Sequence, residues 1–418
     1  MKSEVLGRRL SWLLAAVLFF GELGLTPERS DLRFWYESTW ITLFTLFLFV
    51  ILYLSTTRRL AHLARRAAPW RSPMALSVWL WISVVTVSFF CSTQVDVENP
   101  LVRMRLAEYI VYILFFVVLQ DFFSRYRPEF RVIFSGVIAA ALVLTLAYFL
   151  GRITETEPSG AWGLPMLHFG ALSFNDNIRR LGYLLESALV LLLYWSMVPL
   201  RNRIFPIVVA AALFLFLLWL EGRASLLGLY AAGVLYLFIE GKKRGWTKRS
   251  MILATALAIA VPVGSYLLGF GHTGSVIDRT LSAPSLDSAS SSRLELWSAM
   301  LREWWSRSPW IGTGPQSLLA YPGMGSGIIH PHNFLLQFLI EWGVVGTVLF
   351  LWLLGSLLYR GWRSFRRGGE SRPARLTAGL AIVALSVTGL LGGIYFFSQT
   401  VLILLIMYAA WSFSEVSD

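Results

Sequence analysis

The sequence predicts an all-α polytopic membrane protein with about twelve transmembrane helices and one long, partly helical outer loop. Three observations predict it. Hydrophobic residues make up 56% of the 418-residue chain, and mean hydropathy is +0.63. Only 14% of residues are charged, where a soluble chain carries roughly a quarter. The apolar residues come in solid blocks long enough to cross a bilayer as helices, which takes about 20 residues. Transmembrane β-barrels would show alternation instead.

The spans fall at 10–25, 38–54, 74–91, 106–123, 131–150, 181–198, 204–220, 224–240, 250–270, 334–358, 376–393 and 396–413. The first follows Lys2, Arg8 and Arg9. No small-x-small cleavage site follows it, so it reads as an uncleaved span rather than a signal peptide. The apolar run 204–240 is too long for one helix, and Glu221-Gly222-Arg223 divides it in two. Cys91 is the single cysteine, so no internal disulfide is available.

Lys and Arg set the orientation. The N-terminus and the loops 55–73, 121–131, 199–203, 240–249 and 359–375 hold 24 of the 36; the opposite loops hold 12. The positive-inside rule therefore puts both termini in the cytoplasm and the long loop 271–333 outside. The same bias accounts for the net charge of +12 without nucleic acid. The chain thus divides into helices 1–9 over residues 1–270, the outer loop 271–333, and helices 10–12 over residues 334–418.

The outer loop contains an amphipathic helix near 292–305. Ser292 and Glu295 form an S-x-x-E capping box. Leu294, Trp297, Leu301, Trp304 and Trp305 recur on one side at helical spacing. Such a tryptophan-rich helix is expected on the outer leaflet or over a cavity. The turn-forming stretches "SPWIGTGP" and "YPGMGSG" follow, then His330-Pro331-His332-Asn333 leads into the tenth span.

Six residues stand out as site candidates. Arg223 follows Gly222 at the outer end of two apolar helices. An arginine near membrane depth costs about 2.5–3.5 kcal/mol on insertion scales and usually has a partner. Its planar fork suits a phosphate or a carboxylate. A snorkelling arginine, or a pair with Glu221, fits the spacing as well. Arg293 sits in the first turn of the loop helix, where a cation opposes the helix dipole by roughly 0.3–1 kcal/mol. That cost suggests placement for an anionic ligand; a solvated surface arginine is the other reading.

His332 is the candidate general base, since an unperturbed imidazole titrates near about 6.5. Pro331 stiffens its approach, and Asn333 is placed to cap the tenth span. His330 is read as support. Packed or solvated loop histidines remain the alternative for both. No third ligand lies at metal spacing, so no metal site is expected. Glu186 and Glu341 fall within spans and are functional suspects or partners of an arginine. No P-loop, G-x-S-x-G, H-E-x-x-H or nucleotide fingerprint is present.

The stretch "HNFLLQFLIEWGVVG" places His332-Asn333 before Gly343 and Gly346. It resembles the signature of bacterial O-antigen ligases, within a wider superfamily of ligases and polymerases. Arg223 in "EGRAS" and Arg293 in "SRLELW" resemble the family's two functional arginines, although Gly222 stands where a Ser or Thr often precedes the first. The likeness covers mainly residues 210–350.

The resemblance implies a GT-C-like, metal-independent, inverting glycosyltransferase of the bacterial inner membrane with a periplasmic active site. The implied donor is an undecaprenyl-diphosphate-linked glycan and the acceptor a sugar hydroxyl of lipid A–core, with no cofactor. Arg223 and Arg293 would hold the diphosphate and His332 would act on the acceptor. Polymerases and protein O-oligosaccharyltransferases of the superfamily share the donor and differ in the acceptor. A lipid-linked-glycan transporter is the reading from another class.

Overall fold

The computed structural model describes residues 2–23, 26–27, 32–58, 73–91, 100–126, 128–154, 168–169, 172–173, 178–198, 204–220, 222–241, 293–317 and 330–413. Twelve helices lie among them. In chain order they are α1 (Lys2–Leu23), α2 (Leu32–Thr57), α3 (Pro73–Cys91), α4 (Pro100–Arg125), α5 (Phe130–Thr154), α6 (Ile178–Met197), α7 (Ile204–Trp219), α8 (Arg223–Gly241), α9 (Arg293–Arg307), α10 (Phe334–Arg367), α11 (Arg372–Gly389) and α12 (Ser398–Ser412). Three two-residue strands, β1 (Thr26–Pro27), β2 (His168–Phe169) and β3 (Leu172–Ser173), pair antiparallel in the order β1-β3-β2. The remaining described residues are turns and connections between these elements.

Among the described residues, five helices are long and apolar enough to cross a membrane: parts of α2, α4 and α5, with α8 and α10. Three further apolar helices, in α3, α7 and α12, are shorter. The expected span at 250–270 lies outside the described residues. Large apolar side chains such as Phe44, Phe90, Ile204 and Phe238 are exposed on the outer faces of the bundle. In water these would be a liability; against lipid tails they need no cover.

The bundle interior is apolar and continuous, from Leu14 and Leu18 on α1 through Phe115 and Phe122 on α4 to Leu402 and Met407 on α12. Carboxylates inside it have partners on other helices. Thr388 on α11 lies 2.8 and 2.9 Å from the carboxylate oxygens of Glu186 on α6. This is where Glu186 departs from the sequence reading: its partner here is a hydroxyl rather than an arginine.

The helix expected at 334–358 differs most from expectation. Gly343 adopts φ 64, ψ −172 and breaks α10 into two arms. The rings of Phe338 and Phe350 then lie 4.5 Å apart. Twelve residues separate them, a rise of about 18 Å on a straight helix. The tenth span is therefore not one continuous rod. Helix continues to Arg367, through residues expected in a loop. The arm after Gly343 has about 24 residues and rises about 36 Å, enough by itself to cross a bilayer.

The break frees backbone groups, and the segment after α9 takes them up. Thr313 and Gly314 donate to the carbonyls of Ile340 and Glu341 at 2.8 and 3.0 Å. Val344 and Val345 donate to the carbonyls of Pro309 and Trp310 at 2.9 and 3.1 Å. Ser88 Oγ adds a bond to the Glu341 carbonyl at 2.6 Å. The segment 309–314 is thus stitched into the helix it precedes, which answers the requirement that buried backbone groups be paired.

Candidate active site

The site is organised by the ten residues Thr388–Phe397, which join α11 to α12. The chain there is rich in glycine, with Gly389, Gly392 and Gly393. Close packing explains one of them. A Cβ on Gly393 would lie 2.6 Å from Cε1 of His330, so only glycine admits the imidazole.

His330 is buried at 4% exposure. Its ring lies 4.6 Å from that of Phe396 and 5.8 Å from that of Phe397. His332 stands beside it, with ring centroids 4.0 Å apart and nearly perpendicular. The backbone N–H of His332 donates to Nδ1 of His330 at 3.2 Å. An accepting Nδ1 requires the Nε2–H tautomer of a neutral His330. His332 has φ 55, a left-handed conformation that costs a non-glycine residue about 1–3 kcal/mol. Its surroundings hold it there. Trp297 Nε1 on α9 donates to the Pro331 carbonyl at 2.7 Å. Asn333 caps α10, its Oδ1 accepting from the N–H of Leu336 at 3.1 Å.

Arg293 is the first residue of α9, and its Nη1 donates to the Leu391 carbonyl at 2.6 Å. Arg223 is the first residue of α8, with its side chain exposed. The neighbouring Ala224 carbonyl lies 3.0 Å from the Thr388 hydroxyl. Arg293, His330 and, through Ala224, the start of the helix that carries Arg223 therefore border Thr388–Phe397. So do the N-termini of α8 and α9; α10 begins beside it, with Phe334 5.3 Å from Tyr395. Helix N-termini carry partial positive charge and unsatisfied N–H groups, so together with two guanidinium groups they favour an anion. A neutral imidazole beside them is able to take a proton from a hydroxyl.

Residues 207–351 match the O-antigen ligase family. The matched stretch is about a third of the 418-residue chain and contains Arg223, Arg293, His330 and His332. No curated protein matches the chain. The likeness read from the histidine motif is thus supported at the level of an O-antigen ligase-type family, and the apolar helices agree with a multi-pass membrane protein.

Three contributions to this arrangement escaped the sequence. Tyr183 on α6 accepts from the Gly393 N–H at 3.2 Å and so helps fix the segment against which His330 rests. Thr388 ties that segment to α6 and α8. Trp297 stood out only as one residue of an apolar stripe, whereas its indole N–H holds the peptide between the two histidines. The cluster of glycines in an apolar run was the one available signal for this joint.

The loop helix also packs differently from its pattern. Met300 and Trp304 are buried against Leu336 and Ile340, with Leu296 and Trp297 alongside. Leu294, Leu301 and Trp305 are exposed. The stripe read from spacing is therefore split between a packed and an open face. Glu221 and Ser292 lie outside the described residues, as does "YPGMGSG". Glu341 is buried below the site, with Tyr109 Oη 3.1 Å and Gln337 Nε2 3.3 Å from its carboxylate. Among the described residues, no group of three His, Cys, Asp or Glu is placed to hold a metal ion.

Proposed function

We propose that this protein is an O-antigen ligase: an inverting glycosyltransferase that moves a glycan from a polyprenyl diphosphate to a sugar hydroxyl of lipid A–core. The observation that carries the reading is the common border. Arg293 and His330 meet Thr388–Phe397 directly, His332 stands against His330, and Ala224 beside Arg223 meets Thr388 through its carbonyl; the family match contains all four candidate residues.

In this mechanism Arg223 and Arg293 bind the donor diphosphate. His332 accepts the proton of the acceptor hydroxyl as its oxygen attacks the anomeric carbon. The bond from that carbon to the diphosphate oxygen breaks on the opposite face, which inverts the configuration. The diphosphate leaves with the electron pair, and the guanidinium groups and helix N-termini stabilise the charge that develops. No nucleotide or metal takes part, since activation arrives with the lipid.

The same reading places the protein in the bacterial inner membrane, with both termini cytoplasmic and the site on the periplasmic face. It also expects about twelve spans in a GT-C-like arrangement. A polymerase or protein O-oligosaccharyltransferase would use the same donor groups with a different acceptor. A transporter would move the lipid without chemistry. Broken helices are common in transporters, and Gly343 adds a second break to the one at Gly222, so the chemical test is needed.

Purified protein, undecaprenyl-diphosphate glycan and lipid A–core, incubated with EDTA, provide that test. Glycan-capped lipid A–core is the expected product. Chain lengthening on the donor alone would identify a polymerase. Donor movement that survives His332→Ala would identify a transporter.

A further inference from the structure

Arg105 lies in α4 and is 1% exposed, yet the mechanism above makes no use of it. Its Nη1 pairs with Glu108 at 2.5 Å. Its Nη2 donates to the Phe396 carbonyl at 3.1 Å, and its guanidinium carbon lies 5.1 Å from the centre of the Phe396 ring. That ring is the one 4.6 Å from the imidazole of His330. Arg105 therefore grips both the backbone and the ring of the residue on which the buried histidine rests.

The grip has a second branch. With its side-chain amide turned so that the oxygen faces Arg105, the orientation that satisfies both groups, Gln316 accepts from Arg105 Nε and Nη2 at 3.1 and 2.8 Å. The Gln316 N–H in turn lies 3.4 Å from Glu341 Oε1, in the arm of α10 that follows His332 and Asn333. On the far side, Ser398 at the start of α12 donates to Glu108, and its hydroxyl oxygen lies 3.0 Å from that of Thr39. One buried cation thus joins the segment that carries Phe396, the segment after α9 and the first arm of α10. These are the elements that hold the histidine pair.

We propose that Arg105 is a positioning residue for His330 and His332, acting through Phe396 and Gln316. The inference deepens the glycosyl-transfer reading and rests on it for its kinetic consequence. A buried ion pair is a poor source of stability against apolar residues of the same volume. What it supplies is direction: a planar fork with five donors fixes several acceptors at once, which neither lysine nor an apolar side chain does. A shift of about 1 Å in a group that must meet the acceptor hydroxyl costs about a hundredfold in rate.

The test uses the full chain in lipid nanodiscs. Arg105→Lys and Arg105→Gln are expected to lower kcat by about 10- to 100-fold while donor KM stays within about twofold, because the donor cations are untouched. Imidazole 15N spectra of histidine-labelled protein give a readout independent of turnover. The His330 and His332 signals, assigned with His330→Gln and His332→Gln, are expected to move in Arg105→Gln while those of His62, His168 and His272 do not. Unmoved signals, or wild-type kcat in folded protein, overturn the proposal.

Where the single variants fail to fold, Phe396→Leu, which keeps every charge, takes their place in the same two measurements. Lowered kcat with shifted His330 and His332 signals supports the proposal; wild-type kcat or unmoved signals overturn it. Failure of the parent reading is separate: wild-type protein would then give no transfer product, while the spectra would still show whether Arg105 sets the pair.

Discussion

The backbone N–H of His332 donates to Nδ1 of His330, so the buried histidine holds the strained one by its main chain. Loss of either side chain is therefore expected to act differently. His332→Ala removes the proposed base and should lower kcat by about 10²–10⁴-fold. His330→Phe keeps the packing against Phe396 and Phe397 but loses the acceptor. It should lower kcat by about tenfold, as expected for a misplaced rather than a missing group. Steady-state transfer assays on the two variants check the order; equal losses would assign the chemistry to both rings.

The arginines differ in how they are held. Arg293, the first residue of α9, is anchored to the Leu391 carbonyl through Nη1. Arg293→Lys keeps the charge and loses the fork, so it should raise donor KM about tenfold or more. Arg223 projects from α8 with its side chain exposed, and Arg223→Lys should cost less. Titration of each variant with donor, followed by transfer rate, distinguishes the two.

Gly343 is required by the break in α10. It has φ +64, and a Cβ there would lie 2.3 Å from the Trp310 carbonyl oxygen. Gly312 faces it with φ +76, and its Cβ would lie 2.4 Å from the Glu341 carbonyl oxygen. Gly343→Ala and Gly312→Ala should each destabilise the protein by more than about 1 kcal/mol, through strain and clash together. Thermal unfolding in detergent measures the loss. Gly355, with open space around its Cβ, is the control: Gly355→Ala should leave the melting temperature unchanged or raised.

Trp297→Phe deletes only the indole donor to Pro331. The hydrogen bond is worth about 1 kcal/mol, and its loss loosens the turn that carries His332. The expected result is a fall in kcat of several-fold, with Met300 and Trp304 still packing α9 in place. An unchanged kcat would show that the capping by Asn333 and the bond to His330 suffice.

Much of this was legible in one dimension. Solid apolar blocks announced the helices, because a chain in lipid must satisfy its backbone within each segment. The order Arg223, Arg293, His332 and the spacing of His332-Asn333 to Gly343 and Gly346 pointed to the family, and residues 207–351 match it. Arg105 shows the limit. By span boundaries it read as a charge in an outer loop, whereas α4 begins at Pro100 and buries it. Nothing in hydropathy distinguishes a loop arginine from one whose partner, Glu108, follows a turn later.

Composition and order thus determined that this chain is helical, lies in a membrane and carries separated cations with one histidine pair. Only the tertiary structure decided what those groups share. The bend at Gly343, the seat for His330 at Gly393 and the anchoring of Arg293 on Leu391 are contacts between residues tens of positions apart. Local periodicity has no term for such contacts. They arise when helices pack closely enough that each unpaired backbone group must find a partner on another segment.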